Sequence, residues 1–302
     1  MSPTLIPTRQ TEPGSTELAG VLTQLLRRYA ADVPAGQLND VDRAVARGLD
    51  QIPDARRIAA RMTRRVLDGR GRSGVQALAP AAVQPLDRAV GLDEVRSVFD
   101  RFPTQPVAAA VTTNRYELRF SHLVCRDETN PEFFGSDEIY VVFGWTTQEM
   151  ATQGQPARTV RTPIYEDIDD GDRRPGSGSQ NLRVFGPQSM GGGVAFTATC
   201  FEHDLGDAAE TMKDVSVALT SAAAVAVLLG PIVAKVVAIG AAVTGFLAEI
   251  AKDDQIGPTA TLPLTQADAD ARTATSPSVM LPFLEHKQGD GHYQSFLQLR
   301  RV

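Results

Sequence analysis

The chain is expected to fold as an α+β protein, an antiparallel β-sandwich with an inserted apolar helical hairpin, preceded by a small N-terminal helical unit. Three features of the 302-residue sequence carry this expectation. Apolar residues recur at helical spacing as far as Arg101, and after Pro103 they alternate with polar ones in short runs. Between Val215 and Ala251 lies an apolar block with only two charged residues, Lys235 and Glu249.

Residues 1–14 are Pro- and Thr-rich and read as a disordered tail. Ser15 or Thr16 then caps a helix with Glu17 in its first turn. Leu18, Val21, Leu22, Leu25, Leu26 and Tyr29 form a single apolar stripe along it. A second helix is expected over 39–50, through Val41, Val45 and Leu49. A third covers 53–68, with Pro53 at its start and Ile58, Met62 and Val66 on one face. A shorter one covers 92–101, and 70–91 reads as a connector. Residues 15–103 thus form the helical unit.

Strand-like runs follow at 115–124, 138–147, 157–165, 180–186, 193–203, 257–264, 279–285 and 291–302. Turn clusters such as Asp169-Asp170-Gly171-Asp172 and Gly191-Gly192-Gly193 part them. Short strands at this spacing predict a sandwich or barrel over 106–302. The apolar block is uncharged from Val215 to Ala234, which reaches the roughly 20 residues that span a bilayer. Its Ala, Ser and Thr content and the break at Gly230-Pro231 predict instead two helices, 211–229 and 231–251, inserted at 208–252. Such a hairpin packs on the sandwich or on the N-terminal helices, or enters lipid after a conformational change; a constitutive transmembrane pass is the third reading.

The net charge of −6 is unevenly spread: +3 over residues 1–105 and −9 over the rest. The second half is therefore a poor partner for nucleic acid and a reasonable one for cations. Cys125 and Cys200 are too few for a disulfide scaffold, show no zinc spacing, and read as buried thiols. Residues 1–10 hold no apolar signal region, so synthesis in the cytoplasm is expected, with peripheral membrane association or signal-less export open. No nucleophile elbow, metalloprotease motif, P-loop or dinucleotide fingerprint is present, and a non-enzymatic role is expected.

Acidic residues gather at strand ends. They form four loops: Asp127-Glu128 through Asp137-Glu138; Glu166-Asp167 through Asp172; Glu202, Asp204 and Asp207; and Asp253-Asp254. Calcium takes six to eight oxygen ligands from such loops when they converge. Gly135-Ser136-Asp137-Glu138-Ile139-Tyr140-Val141-Val142 resembles the run that opens the third strand of C2 domains. Phe201-Glu202-His203-Asp204, continued after the insertion by Asp254-Gln255-Ile256-Gly257, is similar to that family's third calcium loop. The resemblance implies an antiparallel sandwich that binds Ca2+ and acidic phospholipid through one end, with Asp127, Asp137, Glu202, Asp204 and Asp254 as ligands. Glu202 stands where the family has Asp, and the Asp127–Asp137 loop is longer and carries Phe133 and Phe134.

The expected function is a binding protein that attaches to a membrane or protein surface through these loops and the hairpin. Alternatives are a membrane-inserting effector or toxin, and a structural or cargo component of a larger assembly. Phe133, Phe134, Val227, Leu228, Leu229 and Ile232 are the expected apolar contacts. Arg57, Arg61, Arg64 and Arg65 belong to a basic face suited to phosphates or an acidic partner.

Overall fold

A computed structural model describes residues 15–67, 84–104, 112–128, 137–175, 182–203, 207–250, 254–289 and 291–302. The expected tail at 1–14 and much of the expected connector lie outside them. The fold is α+β with two antiparallel sheets.

Four helices open the described chain: α1 (Ser15–Ala30), α2 (Asp40–Leu49), α3 (Ala55–Leu67) and α4 (Leu92–Phe99). Asn39 and Asp42 cap α2 reciprocally, each side chain accepting from the other's backbone N–H. Asp42 has a second duty. Its carboxylate takes two 3.0 Å bonds from the buried Arg28 of α1, a forked pairing that locks the two helices together.

The first sheet holds six strands: β1 (Tyr116–Asp127), β5 (Arg173–Pro175), β6 (Leu182–Gln188), β9 (Ser278–Met280), β10 (Leu284–Gln288) and β11 (Gly291–Arg301). The second holds β2 (Asp137–Thr147), β3 (Arg158–Arg161), β4 (Tyr165–Ile168), β7 (Val194–Glu202) and β8 (Asp254–Leu264). An apolar core lies between them, where Phe120 of β1 meets Phe143 of β2 at 5.2 Å and Trp145 meets Phe185 edge-on at 4.9 Å.

The apolar block folds as α6 (Ala208–Leu229), a 3-10 turn at Ile232–Lys235, and α7 (Val236–Ile250). Gly230, at φ 135°, ends α6 where Pro231 forbids its continuation. The two helices cover the outer face of the second sheet, and α1–α4 pack over them in a second core. Contact with the sheet is close because two positions lack a side chain. A Cβ on Gly144 of β2 would come within 2.7 Å of Leu219, and one on Gly240 of α7 would run into the Thr261 methyl of β8. Thr220 and Thr244 also accept from the backbone N–H groups of Ala157 and Thr259, at 2.9 and 2.8 Å. From one side to the other the layers are helices, helix pair, second sheet, first sheet.

Some local expectations are corrected. The run 157–165 is two strands, β3 and β4, and 279–285 is divided at Pro282 between β9 and β10. Two short helices, α5 (Gln148–Gln153) and α8 (Gln266–Arg272), were not expected; each starts from a threonine cap, Thr147 or Thr265.

Candidate functional site

Strand register gathers the loop residues at one end. Asp127 closes β1 opposite His292, and Asp137 opens β2 opposite Ile168. Glu202 closes β7 opposite Asp254, the first residue of β8. The Asp169–Asp172 turn joins them: Cys125 N–H donates to Asp172 O at 2.9 Å and Glu128 N–H to Asp170 Oδ1 at 2.8 Å. His203 N–H donates to Glu138 O at 2.7 Å, which ties the start of the insertion to β2.

The carboxylates differ in exposure. Asp127, Glu138, Asp169 and Asp170 are exposed and Glu202 is half-buried. Asp137 is buried, and its Oδ2 accepts from the Tyr293 phenol of β11. Burial, then that bond to Asp137, pushes the Tyr293 pKa far above the ordinary phenol value. Beside it the Cys125 thiol is pushed up to about 11, and that of Cys200 well above its ordinary value, in both cases chiefly by burial. Both thiols are free and inert as nucleophiles.

Among the described residues no group of three or more His, Cys, Asp or Glu is placed to hold a metal ion. Asp204, Phe133 and Phe134 lie outside the described residues, and for Asp254 only the strand position is described.

The helix pair is not a surface feature. Ile232 is buried, and Val227, Leu228 and Leu229 are half-buried at the tip, packed against the helical core. The arginine face expected on α3 is split. Arg61 and Arg65 turn inward to Glu210 of α6, at 2.6 and 3.2 Å, and Arg61 also bonds Asp214. Arg57 pairs with Asp54 at 3.1 Å and Arg64 is exposed. At the far end of the pair Lys235 donates to Asp100 at 2.7 Å, fastening the turn to α4. Asp214 has its pKa raised to about 6: burial outweighs the two guanidiniums that oppose it. This cluster was missed in sequence, although its signal was present. Arg61 and Arg65 are four apart on one helix, and Glu210 and Asp214 four apart on the other.

No family model matches the chain, and no characterised protein matches it in sequence. A solved structure described as "CC2D1B coordinates ESRCT-III activity during the mitotic reformation of the nuclear envelope" matches 81% of this chain and 86% of that one. Its identity is 10% and its TM-score 0.28, a likeness that carries neither fold nor function across.

Proposed function

We propose that the protein is a non-enzymatic binding protein built on a C2-like sandwich, which attaches to a membrane or protein surface through its acidic loop end. The observation that carries this reading is the convergence of separate acidic segments, with Glu202 and Asp254 opposite one another although an apolar insertion parts them in sequence. Clustered carboxylates at strand ends are the donor set a hard cation takes. In this reading Asp127, Glu202 and Asp254 hold Ca2+ together with Asp204 from the connection. Asp137, engaged by Tyr293, positions the loops. The cation bridges the loops to phosphate or carboxylate on the target, and the buried helix pair serves as core.

Calorimetric titration with calcium, repeated with phosphatidylserine vesicles, tests this reading. Wild-type protein is expected to take up calcium and to bind vesicles only in its presence, and Asp254→Asn to lose both. Absence of calcium uptake together with absence of vesicle binding overturns it.

A second reading, insertion of the helix pair into lipid by an effector or toxin, draws on one observation. Helix α6 is 22 residues long with a mean hydropathy of 1.6 over its most apolar window, the composition of a membrane span. The same window is 67% buried, as a core helix would be. Leakage of dye from vesicles on addition of the protein supports insertion, and intact vesicles reject it.

A further inference from the structure

The two sheets differ in what covers them. Helices cover the outer face of the second sheet, whereas no described element packs over the outer face of the first. Buried Tyr293, Leu297 and Leu299 mark the core side of β11, so Phe296 and Arg300 point outward. Phe296 stacks on His122, its cross-strand partner, with centroids 4.3 Å apart and planes 7° from parallel. Phe283 continues the row at 5.8 Å, and Met280 lies on the same face; they are 38% and 48% exposed.

Arginines surround these rings. Arg173 donates to His122 Nδ1 at 3.2 Å and Arg126 to Gln294 at 2.9 Å. Arg119 and Arg300 flank Glu117 at 2.8 and 3.4 Å. Arg183 stands opposite Arg119. Among the described residues of this face five arginines, Arg119, Arg126, Arg173, Arg183 and Arg300, outnumber the carboxylates Glu117, Glu285 and, at its border, Asp127 opposite His292, in a chain whose net charge is −6. Exposed apolar side chains ringed by unbalanced charge of one sign mark an interaction surface.

We propose that this basic, aromatic face docks the acidic loop end of a second copy of the same chain. Charge complementarity argues for that occupant. The loop end exposes Asp127, Glu138, Glu166, Asp167, Asp169 and Asp170, the opposite sign to the arginine-rimmed face. The two surfaces border one another, since Arg126 precedes Asp127 and Arg173 follows Asp172, so each copy offers both signs of charge to the next. Loop tips on a flat sheet bury little area, so the association is weak and salt-sensitive. The proposal uses the loop end assigned above, and its test is run in EDTA without lipid, so that calcium-dependent attachment and self-association fail separately.

The test is sedimentation equilibrium of the full chain at about 20 mM and about 500 mM salt, across which charge screening changes severalfold. The average mass is expected to rise with concentration at low salt and to return to the monomer at high salt. Arg126→Glu with Arg173→Glu reverses the face, and Glu138→Lys with Asp169→Lys reverses the loop end. Each double variant alone is expected to associate at least about tenfold more weakly, and the two mixed to recover association. Melting curves matching wild type confirm that the variants are folded. A wild-type protein that stays monomeric at low salt overturns the proposal, as does a mixture that recovers nothing. Vesicle binding in EDTA that is lost on face reversal, with wild type monomeric, assigns the face to a lipid surface instead.

Discussion

The Tyr293 phenol of β11 donates to the buried carboxylate of Asp137 on β2, so a side-chain bond joins the two sheets at the loop end of their shared core, as does that of the Tyr165 phenol to Pro175 O. The bond fixes where β2 begins. Tyr293→Phe removes the donor and keeps the ring. A loss of about 1–3 kcal/mol in urea unfolding is expected, the cost of leaving a buried acceptor short of a partner. An unchanged midpoint would show that the bond is dispensable.

Asp214 makes stability depend on pH in a direction opposite to most paired carboxylates. Its folded pKa is about 6, above the ordinary 3.8, because burial dominates. As pH falls from neutrality the folded protein takes up a proton that the unfolded chain does not. The contribution is therefore complete below the unfolded value and lost as pH rises through about 6. Relative to Asp214→Asn, wild-type protein should gain stability by about 2–3 kcal/mol between about pH 7.5 and pH 4. A difference that runs the other way, or none, refutes the assignment.

Gly240→Ala places a methyl group against the Thr261 side chain, where α7 touches β8. Such overpacking costs about 1–3 kcal/mol. Gly144→Ala, under Leu219 of α6, should cost a similar amount. Thermal melts with circular dichroism check both, and wild-type melting of either variant would mean that the helix pair is not seated on the sheet as described.

Cysteine labels at Val227 and Val243, in a background lacking Cys125 and Cys200, report on the helix pair. Val243 is buried and Val227 half-buried at the tip. With acidic vesicles, with and without calcium, the label at Val243 should keep the emission of a packed protein interior. A transfer of both labels into lipid would favour insertion over the core role.

The coarse fold was legible because its signals are local. The stripe from Leu18 to Tyr29, the alternation through β1 and the Gly230-Pro231 break each sit within one element, and each corresponds to an element of the fold. The pairing of the segments at Glu202 and Asp254 was also readable, since strand-like runs flank the apolar insertion on both sides. What escaped depends on contacts distant in sequence. Nothing near Asp137 says that it will be buried, because Tyr293 is 156 residues away. Arg61 reads as a solvated cation until α6 brings Asp214 to it across 153 residues. The short helices α5 and α8 hid between strands, with only Thr147 and Thr265 to announce them.

Helix α3 ends at Leu67 and its partner α6 begins at Ala208. On the ribosome the outer helices therefore emerge well before the segment they enclose, by about 10–30 s at ordinary rates of synthesis. When α6 and α7 follow, α1–α4 and β2, against which Leu219 of α6 rests, have already been synthesised, and β8, which α7 touches, comes directly after. Order of synthesis is thus expected to shorten the time for which the apolar pair stays exposed. Moving the first hundred codons to the end would leave the fold unaltered on paper and deliver the apolar pair uncovered into the cell, with aggregation as the expected result.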